Sequence, residues 1–137
     1  MLKQEQVDFL VELYVQNRLE DVVSNAQKLA EQNPKESILF NILGLAQEGL
    51  RHYDESISHY KTALEITPDY WEAHYNLGNV LHEVGDLDAA IASYQRSLEL
   101  NRDCDTYLNL GNVFREKGDL SLAIDNYNLA LQLNPQF

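Results

Sequence analysis

Basic residues are scarce in this chain. Ten Lys and Arg stand against 22 Asp and Glu, a formal net charge of −12. A phosphate backbone is gripped by a basic face, so this balance argues against nucleic acid as a partner and, by the same reasoning, against an anionic membrane surface. The acidic excess runs along the whole chain and is not gathered in a tail, which leaves neutral or basic peptides as fitting partners. Cysteine is almost absent: Cys104 stands alone, so no intramolecular disulfide can form, and a reducing compartment fits. Long apolar runs are missing as well. None approaches the roughly 20 residues that span a bilayer, and the opening stretch MLKQEQVDFLVELY carries Glu and Asp where a signal peptide has an apolar core. The expected location is the cytoplasm.

Proline and glycine are few, three and six, but their spacing is regular. Gly44, Gly78 and Gly111 step by 34 and 33 residues, as do Tyr60, Tyr94 and Tyr127. Pro34 and Pro68 are 34 apart, Arg102 follows after 34 more and Pro135 after 33. The missing residue therefore lies between Arg102 and Gly111, around Asp103 and Cys104. Within one period the pattern is helical. His74, Leu77, Gly78 and Leu81 share one face at i, i+3, i+4, i+7; Gly85 and Asp86 interrupt; Leu87, Ala90, Ile91, Tyr94 and Leu98 line a second face. Four helical hairpins follow, at about 3–36, 37–70, 71–103 and 104–137. Their helices are expected at 3–16 and 19–32, 37–50 and 53–66, 71–84 and 87–100, and 105–117 and 120–133. Asn17, Gly85 and Gly118 mark turns needing a positive φ. Arg51 takes that place in the second hairpin, with Gly49 two residues earlier, and predicts a different turn there.

A 34-residue period of this kind resembles the tetratricopeptide repeat family. The third period gives His74-x-x-Leu77-Gly78-x-x-Leu81, then Ala90-x-x-x-Tyr94-x-x-Ser97. The fourth gives Tyr107-x-x-Leu110-Gly111-x-x-Phe114, then Ala123-x-x-x-Tyr127-x-x-Ala130 and Pro135. The second gives Phe40-x-x-Leu43-Gly44, then Ser56-x-x-x-Tyr60-x-x-Ala63 and Pro68. The first departs from the pattern, with Phe9-Leu10 in place of Leu-Gly and Val22, Ala26 and Leu29 in its second helix. Leu10 should open that hairpin slightly. The resemblance implies one all-α domain over residues 1–137, an α-α superhelix (a right-handed solenoid) of four hairpins. Each glycine should admit the second helix close to the first, and each tyrosine should fill the gap towards the next hairpin. Stacked repeats of this type bury a continuous core. After Pro135-Gln136-Phe137 no polar capping helix follows, and Leu122, Ile124, Leu129, Leu131 and Leu133 are expected to leave an apolar end. That suggests a piece of a longer protein or, alternatively, a homo-oligomer formed through the C-terminal repeat.

The resemblance also implies where a ligand sits. In such proteins the first helices of the hairpins line a concave face that holds an extended peptide. The matching positions here are Tyr75, Asn76, Asn79, His82 and Glu83 in the third repeat, Leu108, Asn109, Asn112, Arg115 and Glu116 in the fourth, and Asn41, Leu45 and Glu48 in the second. Asn-Leu-Gly-Asn occurs twice (Asn76 to Asn79, Asn109 to Asn112), and a primary amide both donates to and accepts from a peptide backbone. Asn76 and Asn109 resemble the asparagine ladder in the helical arm of O-linked N-acetylglucosamine transferase, although Ile42 and Asp8 break it. The same asparagines could equally bond between adjacent helices. A basic clamp for a terminal carboxylate has little support, since Val7, Asn41, Glu72, Asn76 and Asn109 occupy its positions and Arg115 is the one cation. The leading reading is a protein–protein interaction scaffold. The alternative is the substrate-recognition arm of a larger glycosyltransferase or sulfotransferase.

Catalytic and metal chemistry find no foothold. Asn101, Asp103 and Asp105 imitate the start of a calcium loop, but Thr106 stands where glycine is needed and Asn112 where the closing glutamate is needed. A helix cap by Asp103 or Asp105 is the simpler role. His74 and His82 are eight residues apart on one helix, about 12 Å, too far to share a metal. His74 holds a core position, His52 a turn, and His59 is expected to face solvent. HExxH, CxxC, a phosphate loop and a nucleophile elbow are all missing. No catalytic residue, no metal and no cofactor is expected.

Overall fold

A computed structural model describes residues 1–137 and contains helices and turns without strands. The eight helices are α1 (Gln4–Val15), α2 (Leu19–Gln32), α3 (Ser37–Gly49), α4 (Tyr53–Ile66), α5 (Trp71–Glu83), α6 (Leu87–Leu100), α7 (Cys104–Glu116) and α8 (Leu120–Leu133). They fall into two compact units, Met1–Pro68 and Asp69–Phe137, of two hairpins each. The expected boundaries hold to within a residue or two.

All four hairpin turns use one device. The N–H groups of Arg18, His52, Asp86 and Asp119 reach back five residues to the carbonyls of Leu13, Gln47, Leu81 and Phe114, at 2.8–2.9 Å. The preceding residue is left-handed in each case: Asn17 at φ 59°, Arg51 at 63°, Gly85 at 86° and Gly118 at 87°. This is a Schellman closure, which satisfies carbonyls that a helix end otherwise leaves bare. The different turn expected at Arg51 is therefore not formed. The closing hydrogen bonds hold a non-glycine residue in a conformation that disfavours its Cβ. Gly49 serves packing instead: a Cβ there would lie 2.5 Å from Leu19.

The repeated glycines and tyrosines form the heart of three hairpins. A Cβ on Gly44, Gly78 or Gly111 would lie 2.4, 2.7 or 2.6 Å from the ring of Tyr60, Tyr94 or Tyr127. Each tyrosine thus lies against the glycine of its own hairpin. The ring needs a surface without a side chain, and glycine supplies it. The first hairpin reverses the volumes. Leu10 and Ala26 stand at those two places and both are fully buried. α1 and α2 approach each other less closely than the helices of the other hairpins, as the leucine predicts.

In the first unit the core gathers Leu10, Leu13, Val22, Leu39 and Leu43. In the second, Ala73, Val80, Ala90, Tyr94 and Val113 are fully buried. Helix starts differ between the units. Asp86, Asp103 and Asp119 accept from the N–H groups of Ala89, Thr106 and Leu122, capping α6, α7 and α8. Asp103, not Asp105, takes the cap, and its carboxylate also accepts from the Thr106 hydroxyl at 3.0 Å. Arg18, Glu36 and His52 precede α2, α3 and α4 without a side-chain cap.

Candidate functional site

The second unit gathers most of the polar residues singled out by the sequence. Tyr75, Asn76, Asn79 and His82 belong to α5; Asn109, Asn112 and Arg115 belong to α7. The Tyr94 hydroxyl, coming from α6, donates to Asn79 Oδ1 at 2.6 Å. Asn109 Nδ2 donates to the same oxygen and to the Tyr75 hydroxyl, both at 3.2 Å. The Tyr75 and Tyr94 rings meet at a centroid distance of 6.1 Å. One repeat on, the Tyr127 hydroxyl donates to Asn112 Oδ1 at 2.7 Å. The ring that lies on the glycine of its hairpin therefore ends on an asparagine one residue further along the first helix.

These bonds fix the chemistry that each asparagine can offer. Asn79 and Asn112 are held by their oxygens, so their Nδ2 hydrogens remain as donors on half-buried side chains. Asn109 spends its amide nitrogen between α5 and α7, which is the helix-to-helix role open to it from sequence. His82 Nε2 lies 2.8 Å from a Glu116 carboxylate oxygen, and Arg115 is exposed beside it in the chain. The arrangement provides fixed amide donors, a carboxylate–imidazole pair and a cation. It holds no nucleophile paired with a base.

Asn41 lies in the first unit and is nearly fully buried, so its side chain offers little surface to a ligand. The place taken by Asn79 in the third repeat is held by Leu45 in the second. There the Tyr60 hydroxyl instead donates to Glu48 at 2.9 Å. Burial, with the Glu48 charge second, pushes the Tyr60 hydroxyl far above its ordinary pKa. Tyr14 is raised by the same two causes in the same order. In the first unit Glu48 thus takes the tyrosine hydroxyl that an asparagine takes in the second.

Sequence reasoning missed three partners. Glu116 pairs with His82, and a 34-residue separation was the available signal. The tyrosine-to-asparagine bonds were hidden because a rotamer decides them. His59 was expected in solvent but is half-buried against Phe40, with ring centroids 6.5 Å apart. Burial lowers its pKa, partly opposed by Glu55.

Comparison with known proteins bears on the whole chain. The family model described as TPR repeat matches residues 52–85, and that described as tetratricopeptide repeat matches 71–104 and 105–137. Together they extend over residues 52–137, more than half of the chain. Among solved structures, one of MamA is 23% identical and covers 92% of this chain and 74% of its own, with a TM-score of 0.86. A second MamA structure is 20% identical, covers 93% and 70%, and also scores 0.86. MamA of AMB-1 is 16% identical, covers 96% and 73%, and scores 0.80. At these identities the likeness shows the fold. No curated protein matches the sequence.

Proposed function

The chain belongs to the tetratricopeptide repeat family, and from that premise we propose that it is an interaction scaffold holding an extended peptide against the first helices of its repeats. In this reading the four repeats act as one domain, without catalysis, cofactor or metal. The observation that carries it is the pair of asparagines, Asn79 and Asn112, each pinned through its oxygen by a tyrosine hydroxyl. A donor held rigid before binding loses little entropy when a peptide carbonyl reaches it, and two such donors one repeat apart suit an extended backbone. Tyr75, Asn76, His82 and Arg115 surround them in sequence and add one aromatic face and one cation; Asn109 braces the two helices. Asn41, being buried, takes at most an indirect part.

The negative surface favours a neutral or basic peptide. Likeness to the transferase arm rests on Asn76 and Asn109 alone, so a role as the recognition arm of a larger enzyme is the less supported reading. No helix is long and apolar enough to cross a membrane.

The test is a peptide array probed with wild type and with an Asn79→Asp/Asn112→Asp double variant. Aspartate keeps the oxygen that each tyrosine needs and replaces each outward amide donor with a charged acceptor, so the comparison is read on neutral peptides, whose binding the added charge does not favour. Binding should fall at least about tenfold, on the order of 1.4 kcal/mol, with the melting temperature little changed. Equal binding by the two proteins would remove the asparagines from the site.

A further inference from the structure

Both units carry the same groove, at positions 67 or 68 residues apart. In the first unit, Gln27 and Ala30 of α2 face Phe40 and Leu43 of α3 and His59 of α4, around about 470 Å³. In the second unit, Gln95 and Leu98 of α6 face Tyr107 and Leu110 of α7 and Asn126 of α8, around about 500 Å³. One wall is always the second helix of the preceding repeat, and its knob is Ala30 or Leu98.

At α1 the same groove stands open. Gln6, Phe9 and Asn25 hold the places of Phe40, Leu43 and His59, and with Lys3, Glu5, Lys28 and Leu29 they line about 460 Å³. The wall that α2 or α6 supplies elsewhere is missing. Leu43 and Leu110 are 1% and 3% exposed, whereas Phe9 is 50% exposed. The matching knob is found on α8. Leu131 holds the place of Ala30 and Leu98, is 45% exposed, and has exposed Ile124 and Leu133 beside it.

We infer that α8 of one copy seats in the α1–α2 groove of a second copy, with Leu131 entering beside Phe9, as Leu98 does beside Leu110 within the chain. Charge agrees with the fit. The groove carries two cations, Lys3 and Lys28, against one acid, Glu5, and the only charged side chain of α8 is Asp125. The contact joins two different surfaces, so every pairing leaves one groove and one helix free and association continues beyond the dimer. It goes beyond the peptide-binding reading and does not depend on it.

Sedimentation velocity and light scattering over a concentration series provide the test, on wild type, Phe9→Glu and Leu131→Glu. Both side chains are half exposed, so the single variants should keep the wild-type melting temperature. Wild type should rise from its 15.7 kDa mass towards multiples as concentration increases, and each single variant should remain a monomer. An equimolar mixture of the two variants should stop at a dimer, because one sound α8 then meets one sound groove. A wild type that stays monomeric into the millimolar range overturns the inference. So does association that survives Phe9→Glu but not Leu131→Glu, which would mean that α8 pairs with another α8. A mixture without dimers overturns it equally.

Discussion

Gly78 and Tyr94 are sixteen residues apart in sequence and in contact in space, and their contact sets the spacing of α5 and α6. A methyl group at Gly78 meets the ring, which is fully buried and cannot swing away. Gly78→Ala should therefore cost about 1–3 kcal/mol, as overpacking does, measured by urea unfolding. In a Tyr94→Ala background the same change should cost little, because the two residues share one space. The period of glycine and tyrosine was legible in the sequence, but the partner of each tyrosine hydroxyl was not. Spacing places a residue on a helix face, whereas a rotamer and a hydroxyl partner decide which helix it touches. His59 shows the same limit, since it was expected in solvent and is half-buried against Phe40. Its folded-state pKa lies below the ordinary 6.5. The unfolded chain then binds the proton more readily, so stability falls as pH drops through about 6.5 and is fully present above it. Wild type should lose more melting temperature than His59→Gln between pH 7.5 and 5.5.

At the scale of helices, turns and caps decide which parts hold most firmly. Arg51 adopts a left-handed conformation that glycine adopts freely at Gly85 and Gly118. Arg51→Gly should stabilise the protein by about 1 kcal/mol, the cost commonly attached to that conformation, seen as a higher urea midpoint with an unchanged slope. Gly85→Ala should lose a similar amount. Asp103→Ala removes a cap with two hydrogen bonds and should cost about 1 kcal/mol. α1 and α2 lack the glycine–tyrosine contact, and α2 also lacks a side-chain cap. Native-state hydrogen exchange should find this hairpin the least protected. The helices themselves were legible because their apolar period is strong. The turn at Arg51 was not, because a side chain preference was read where backbone closure governs.

For the molecule as a whole, acidity and apolar surface act in opposite directions on association. Repulsion between copies of charge −12 weakens head-to-tail contact at low salt, and screening relieves it. Raising ionic strength should therefore strengthen self-association while weakening the binding of a basic peptide. The two effects can be read on one sample series by light scattering and fluorescence anisotropy. The repeat count and the hairpin architecture were plain from the 34-residue period. The proposed binding surface was only partly legible, because its asparagines also bond to tyrosine hydroxyls and between helices.

The most direct test of the interaction-scaffold reading is a ¹H–¹⁵N titration of the chain with the strongest peptide from the array. The side-chain Nδ2 resonances of Asn79 and Asn112 should move together with backbone signals of α5 and α7, while those of the outer faces of α6 and α8 stay in place. Shifts confined to α6 and α8, with both side-chain amides unmoved, would contradict it.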